Sequence, residues 1–406
     1  MPPLNLISAL LPFVAFPHAM PSAVPMRALI VGGGPDKRHN QVAIESNVRY
    51  VARVLPSGSA YRVLFADGNW DSSSVQCLHD ASKSDYDNVY YRKPQLPRMD
   101  GPILKTNVES EMASLNNSLA SDPSTPVMLY FTGHGSPDSN RQFTNNQFDL
   151  WNSGAYKVKD LAGSLKQFSS ETPVTLVMVE CFSGAFANCL FEDGTEGQPL
   201  IGKNVCGFFA SVPQRMAAGC TPAVNEEDYK DFTGYFFAAL AGKSRMGQPV
   251  ASADYNHDGK VGMNEAFAYC LFHDDSIDTP VCTSDAFLRH YIKTPDEVVF
   301  QTPYSTILSW SSPEHKAAIE GLSSLLGFTA PNRMQTAYAA FNNCNFAAFD
   351  LPTVRLIRFA RLAKTIYLDH AMMASTDEDL KARYVALLKA ESENPLRPEA
   401  TAARER

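Results

Sequence analysis

The chain lacks several features that would each have assigned it early. Its 406 residues hold 35 Lys and Arg against 43 Asp and Glu, a net charge of −8. The basic residues form no cluster, so nucleic acid is excluded as the expected partner. Beyond the N-terminus no run approaches eighteen apolar residues, which excludes a spanning helix. No internal repeat or low-complexity run marks a solenoid or an extended linker. The eight cysteines, Cys77, Cys181, Cys189, Cys206, Cys220, Cys270, Cys282 and Cys344, form no tidy disulfide framework. With one of them as a free nucleophile, an odd number would remain. Buried free thiols are the simpler reading, with Cys206/Cys220 and Cys270/Cys282 open as pairs in an oxidising compartment.

What is present is an ordinary globular composition, 45% hydrophobic and 19% charged. The length suits one large α/β domain with an appendage, or two domains. Residues 1–23 contain an apolar run from Leu6 to Phe16 followed by small residues. They read as a signal peptide or as an N-terminal arm. The first implies a secreted or periplasmic protein, the second leaves a cytoplasmic one open.

From Met26 onward short apolar runs alternate with amphipathic stretches. Strands are predicted at 26–34, 61–68, 126–136, 173–185 and 203–212. Helices are predicted at 40–55, 104–120, 158–168 and 231–242, with a long surface excursion at 69–103. This alternation predicts an α/β fold with a doubly wound, mostly parallel sheet and helices on both faces. After residue 300 strand signals vanish, and 314–326, 334–341, 352–368 and 376–392 read as helices. The expected division is a main domain at 24–300 and a helical region at 301–406 with a disordered tail.

Two strand ends carry chemistry. Thr132-Gly133-His134-Gly135-Ser136 follows one apolar run and Glu180-Cys181-Phe182-Ser183-Gly184 follows the next. In open parallel sheets ligands bind outside the carboxyl ends of the strands. A thiol at Cys181 and an imidazole at His134 would face one cleft there, as nucleophile and proton carrier. The amides of Gly135 and Cys181 would be oxyanion donors.

These segments resemble the His-Gly and Cys-x-Ser-Gly signatures of legumain-type cysteine peptidases, whose wider architecture caspases, metacaspases and gingipains share. The similarity extends over about 26–242. The resemblance implies a caspase-like fold and endopeptidase chemistry through an acyl-enzyme on peptide or protein substrates, with no metal in the bond-breaking step. It matches Arg38 and His39 to an Arg-His pair after the first strand, and Phe208–Cys220 to a pocket wall containing Ser211 and Arg215. Asp36 falls where an asparagine backs the histidine, so it is either the orienter of His134 or a turn aspartate. Glu180 is expected to line the pocket. The family's acidic pocket residues are replaced here by Phe182 and Tyr235. An arginine pocket without those acids is expected to favour Asp or Glu at P1 at least as readily as Asn. A transpeptidase using the same pair, and an inactive caspase-fold calcium-binding interaction protein, are the alternatives. By the same analogy the helical region is an inhibitory cap; the other reading is a structural annex. Oligomeric state has no signature in the sequence.

A separate motif runs from Asp254 to Glu265. Asp254, Asn256, Asp258 and Glu265 occupy positions 1, 3, 5 and 12 of an EF-hand loop, Gly259 the sharp turn and Lys260 the carbonyl position. Calcium is the expected structural ion. The residues before the loop do not read as a helix, so a single loop is expected and not a paired sensor.

Overall fold

The computed structural model describes residues 25–80, 83 and 88–396. The segment 1–23 and the end of the tail lie outside the described residues.

In chain order the structure has β1 (Arg27–Gly33), α1 (Val42–Val54), β2 (Ala60–Phe65), β3 (Val75–Leu78), β4 (Val89–Arg92), α2 (Lys105–Ser118), β5 (Val127–Gly133), β6 (Gly135–Ser136), β7 (Gln147–Leu150) and β8 (Gly154–Lys157). There follow α3 (Val158–Leu165), β9 (Val174–Met178), β10 (Val205–Phe209), α4 (Phe232–Ala241), α5 (Met263–His273), β11 (Val281–Cys282) and α6 (Thr283–Tyr291). The last part is helical: α7 (Asp296–Gln301), α8 (Tyr304–Trp310), α9 (Pro313–Leu325), α10 (Arg333–Asn343), α11 (Leu351–Met373) and α12 (Glu378–Glu391).

The main sheet runs β11-β10-β9-β5-β1-β2. All pairings are parallel except β10 with β11. Successive residues point to opposite faces of a strand, and here both faces are covered. Ala28, Ile30, Met128, Tyr130, Cys206 and Phe208 pack against α1, α4 and α5. Their neighbours Leu29, Val31, Leu129, Phe131, Val205 and Phe209 pack against α2, α3 and the short helical turns at 183–190. The doubly wound α/β arrangement with a helical region after it is therefore present. The first of these cores continues without a break into Ile319, Leu322, Phe359, Ile366 and Tyr384 of the last helices.

The structure corrects the expected elements: strand 173–185 ends at Met178, and 183–190 forms short helical turns. The excursion at 69–103 contains an antiparallel pair, β3 with β4. It is tied to α1 by Arg92, which forms an ion pair with the buried Glu45. The expected strand 203–212 ends at Phe209, and the antiparallel β11 caps the sheet beyond it. All eight cysteines are free, so neither Cys206/Cys220 nor Cys270/Cys282 is a disulfide. Among the described residues no helix is long and apolar enough to cross a membrane.

Candidate active site

The chain leaves β1 for β2 on one side and later returns to place β5 on the other side of β1. That reversal sets the topological switch point at the carboxyl ends of β1 and β5, where the binding crevice of a doubly wound sheet forms. His134 follows β5 directly and Cys181 follows the neighbouring β9. Both side chains are half-buried.

Gly135 fixes how closely the two strand ends approach. A Cβ on it would sit 2.3 Å from the Cys181 carbonyl oxygen and 2.7 Å from Glu180 Cγ. Only glycine fits that space without moving backbone. The antiparallel contact of β6 with β7 joins Asp149 N to the His134 carbonyl at 2.9 Å and pairs Gly135 with Phe148. In that register the Gly135 N–H lies outside the ladder.

His134 Nε2 lies 2.9 Å from the side-chain oxygen of Gln41, and its ring stands edge-on to His39 at 5.6 Å. Burial first, and then the His39 ring, push its pKa down, while Asp149 opposes them. The ring is thus neutral near pH 7 and able to accept a proton. Asp36 does not orient His134. Its carboxylate accepts from Arg38 N at 2.7 Å and His39 N at 3.2 Å, and it pairs with His39 Nδ1 at 2.9 Å. It caps its own turn, the local bonding that a short acidic side chain favours, and Gln41 takes the position beside His134.

Cys181 Sγ lies 3.3 Å from the Ala217 N–H. Burial raises the thiol to about 11, partly offset by that amide, with Asp278, Glu180 and Asp149 adding to the rise. His134 and Cys181 share no hydrogen bond among the described residues; each has its own partner. The next residue, Phe182, has φ +63°, unusual for a bulky side chain. Its N–H donates to the Arg215 carbonyl at 2.8 Å. Its carbonyl accepts from the buried Asn146 Nδ2 at 3.0 Å, which also reaches Pro213 O at 3.0 Å. This ties the sharp turn after the thiol to the 211–218 loop.

The expected substrate-binding residues divide into two groups. Arg38 and His39 are exposed at the crevice mouth, and no carboxylate pairs with Arg38 among the described residues. Glu180, Ser211 and Arg215 are buried and offer no side-chain surface to a ligand. Ser211 Oγ donates to Met216 O at 3.1 Å. Among the described residues neither Glu180 oxygen has a hydrogen-bond partner. Burial pushes that carboxyl well above its usual range, which favours its neutral form. Arg215 is 2% exposed and donates to Phe346 O and, at 2.8 Å, to Ala348 O. The Phe346 and Phe349 rings lie 5.5 and 5.3 Å from its guanidinium. The helical region thus covers it. Phe182 stacks with Phe143, while burial, with Asp274 adding to it, pushes the Tyr235 hydroxyl up to about 12.

At 254–265 the loop curls on its own oxygens. Asp254 accepts from Asp258 N and Gly259 N, Asn256 Oδ1 from Asp258 N, and Asp258 from Lys260 N, all at 2.9–3.1 Å. Glu265 accepts from Tyr255, Asn256 and Gly262 amides at 2.8–3.2 Å, joining the loop's two ends. A carboxylate has about four lone-pair sites, so these bonds leave acceptor capacity for a cation. Helix α5 leaves the loop, and no helix enters it between Gly242 and Gly262. Among the described residues no group of three or more His, Cys, Asp or Glu is clustered as a metal site.

Gln41, Asn146 and Ala217 were not signalled by the sequence. Of these, Gln41 lies two residues after His39 and Ala217 lies within the 208–220 segment, but neither residue was singled out.

No family model and no curated protein matches the chain. Among solved structures it is similar to the crystal structure of protein GSU0716 from Geobacter sulfurreducens. The TM-score is 0.38 at 14% identity, covering 64% of this chain and 92% of that one. A likeness of this size assigns neither activity nor mechanism.

Proposed function

We propose that the chain is a cysteine endopeptidase of the legumain and caspase type, with Cys181 as nucleophile and His134 as proton carrier. The observation carrying this reading is the close fit of Gly135 against the Cys181 carbonyl. With His134 directly before Gly135 and Cys181 in the facing turn, that fit supports reading the imidazole, the thiol and the Gly135 amide as parts of one site. In the proposed reaction Cys181 Sγ attacks the scissile carbonyl carbon and its proton passes to His134. The carbonyl oxygen takes the negative charge and accepts hydrogen bonds from Gly135 N–H and Cys181 N–H. His134 then protonates the leaving amine as the C–N bond breaks. Water attacks the thioester, and the C–S bond breaks to release the acid and restore the thiol. Because the free thiol sits near 11, attack and loss of its proton have to proceed together.

Arg38 is the cation proposed to receive an acidic P1 side chain, since Arg215 is buried with both Nη atoms engaged by main-chain carbonyls of the helical region. Calcium is proposed to be held by Asp254, Asn256, Asp258, the Lys260 carbonyl and Glu265, as a structural ion that fixes the loop before α5. Treatment with a peptide carrying an electrophilic acyl mimic at P1 tests the reading. Covalent mass on Cys181, lost in His134→Ala, is expected. An inert Cys181 would leave the caspase-fold binding protein as the better account. Peptide products joined to an added amine would identify a transpeptidase.

A further inference from the structure

Resting on the peptidase reading, we infer that Arg358, on α11 of the helical region, is a positioning residue for the Cys181 site. The helical region then forms part of the active-site wall and is not a cap to be removed. Arg358 is 2% exposed and donates to four main-chain carbonyls. These are Asp278 O at 2.7 Å from Nε, Asp274 O at 2.6 Å and Leu271 O at 3.3 Å from Nη1, and Ser276 O at 3.2 Å from Nη2. The Asp274 carboxylate lies 3.7 Å away. A planar guanidinium with five donors in a fixed fork can gather such a turn, and a lysine ammonium cannot.

The turn it gathers holds the nucleophile's wall at both ends. Asp278 accepts from Ala218 N at 2.6 Å and from Phe232 N at 2.9 Å. Thr279 Oγ1 lies 3.3 Å from Val212 N and 3.2 Å from Ser211 Oγ. Between those points Ser211 Oγ reaches Met216 O, and the Ala217 N–H meets Cys181 Sγ at 3.3 Å. A continuous set of hydrogen bonds therefore runs from α11 through 274–279 and 211–218 to the thiol. Arg215, in the middle of that loop, is itself held by Phe346 O and Ala348 O of the helical region. Two independent contacts from after residue 340 thus fix the same loop.

The test is site-resolved alkylation of the full-length protein with iodoacetamide at pH 8, read by peptide mass spectrometry, beside peptide cleavage. Loosening the wall admits water to Cys181. With desolvation reduced, each unit its pKa falls gives about tenfold more thiolate at that pH. Arg358→Lys and Asp278→Asn are expected to raise Cys181 labelling about five- to tenfold while kcat/KM drops at least about tenfold. Arg358→Met should exceed Arg358→Lys in both. Cys77, Cys189 and Cys206, buried outside that turn and its flanks, should stay unlabelled, as global unfolding would not allow. If Arg358→Met does not fold, the Lys and Asp278→Asn variants carry the test alone. Wild-type labelling of Cys181 in both, or equal gains at Cys77 and Cys206, overturns the inference. Raised Cys181 labelling in a protein that cleaves no peptide would uphold the wall and refute the peptidase reading instead.

Discussion

Replacing Gly135 with alanine tests whether the two strand ends form one site. The new methyl would lie 2.3 Å from the Cys181 carbonyl oxygen, 2.7 Å from Glu180 Cγ and 3.1 Å from the Gln147 carbonyl. Two of these neighbours are backbone, so neither can rotate aside. Restoring ordinary contact requires β6 and the Cys181 turn to part by about 1 Å, a displacement that costs on the order of a hundredfold in rate at a positioned site. Overpacking of this kind also costs about 1–3 kcal/mol of stability. The assay is kcat/KM on a cleaved peptide together with urea denaturation. Gly163→Ala is the control, because Gly163 is exposed on α3 with nothing within 4 Å of its Cβ position. It should keep full activity and gain up to about 1 kcal/mol from helix propensity. A Gly135→Ala protein with wild-type rate and stability would refute the close approach of His134 and Cys181.

Other expectations concern separate parts of the molecule. The iodoacetamide rate at Cys181 should keep rising with pH toward about 11, since only the thiolate reacts; a plateau by pH 8.5 would show the thiol less buried than described. Calcium at a hundredfold over its Kd should stabilise the protein by about 2.7 kcal/mol, seen as a thermal shift reversed by chelation and absent in Asp254→Asn with Glu265→Gln. No shift and no binding by calorimetry would remove the ion from the account. Burial raises Glu391 to about 7, above its unfolded value. Its contribution is therefore fully present below about pH 4.5 and lost as pH rises through 7, on the order of 3 kcal/mol across that window. Glu391→Gln, which keeps an acceptor for Thr283 Oγ1 and Ser284 N, should be more stable than wild type at pH 8 and lose that slope. Equal stability at pH 8 would contradict the raised value.

The parallel strands were legible because burial on both faces writes them as unbroken runs such as Val127–Phe131 and Val174–Met178. Helices α9 to α12 were legible from their periodicity. His134, Cys181 and Gly135 stood at strand ends, where short motifs keep their local spacing. For Asp36 the sequence left both readings open, and only the structure shows its carboxylate taken by the Arg38 and His39 amides of its own turn. What escaped was contact across long separations. Arg358 meets the 271–278 carbonyls from 80 to 87 residues away, and Arg215 meets Phe346 from 131 away. Main-chain acceptors carry no residue identity, so no pattern of side chains marks them in advance. The β3–β4 pair was hidden for a related reason: its four-residue strands are too short to show alternation among the Asp, Ser and Pro around them.

The central claim is most directly tested by cleavage of a peptide library varied at P1, using full-length protein and its Cys181→Ala variant, with calcium present and chelated. The account predicts turnover after Asp or Asn that vanishes in Cys181→Ala, with the Asp preference reduced in Arg38→Ala. Turnover that persists without the Cys181 thiol, or no cleavage together with an unreactive Cys181, would contradict it.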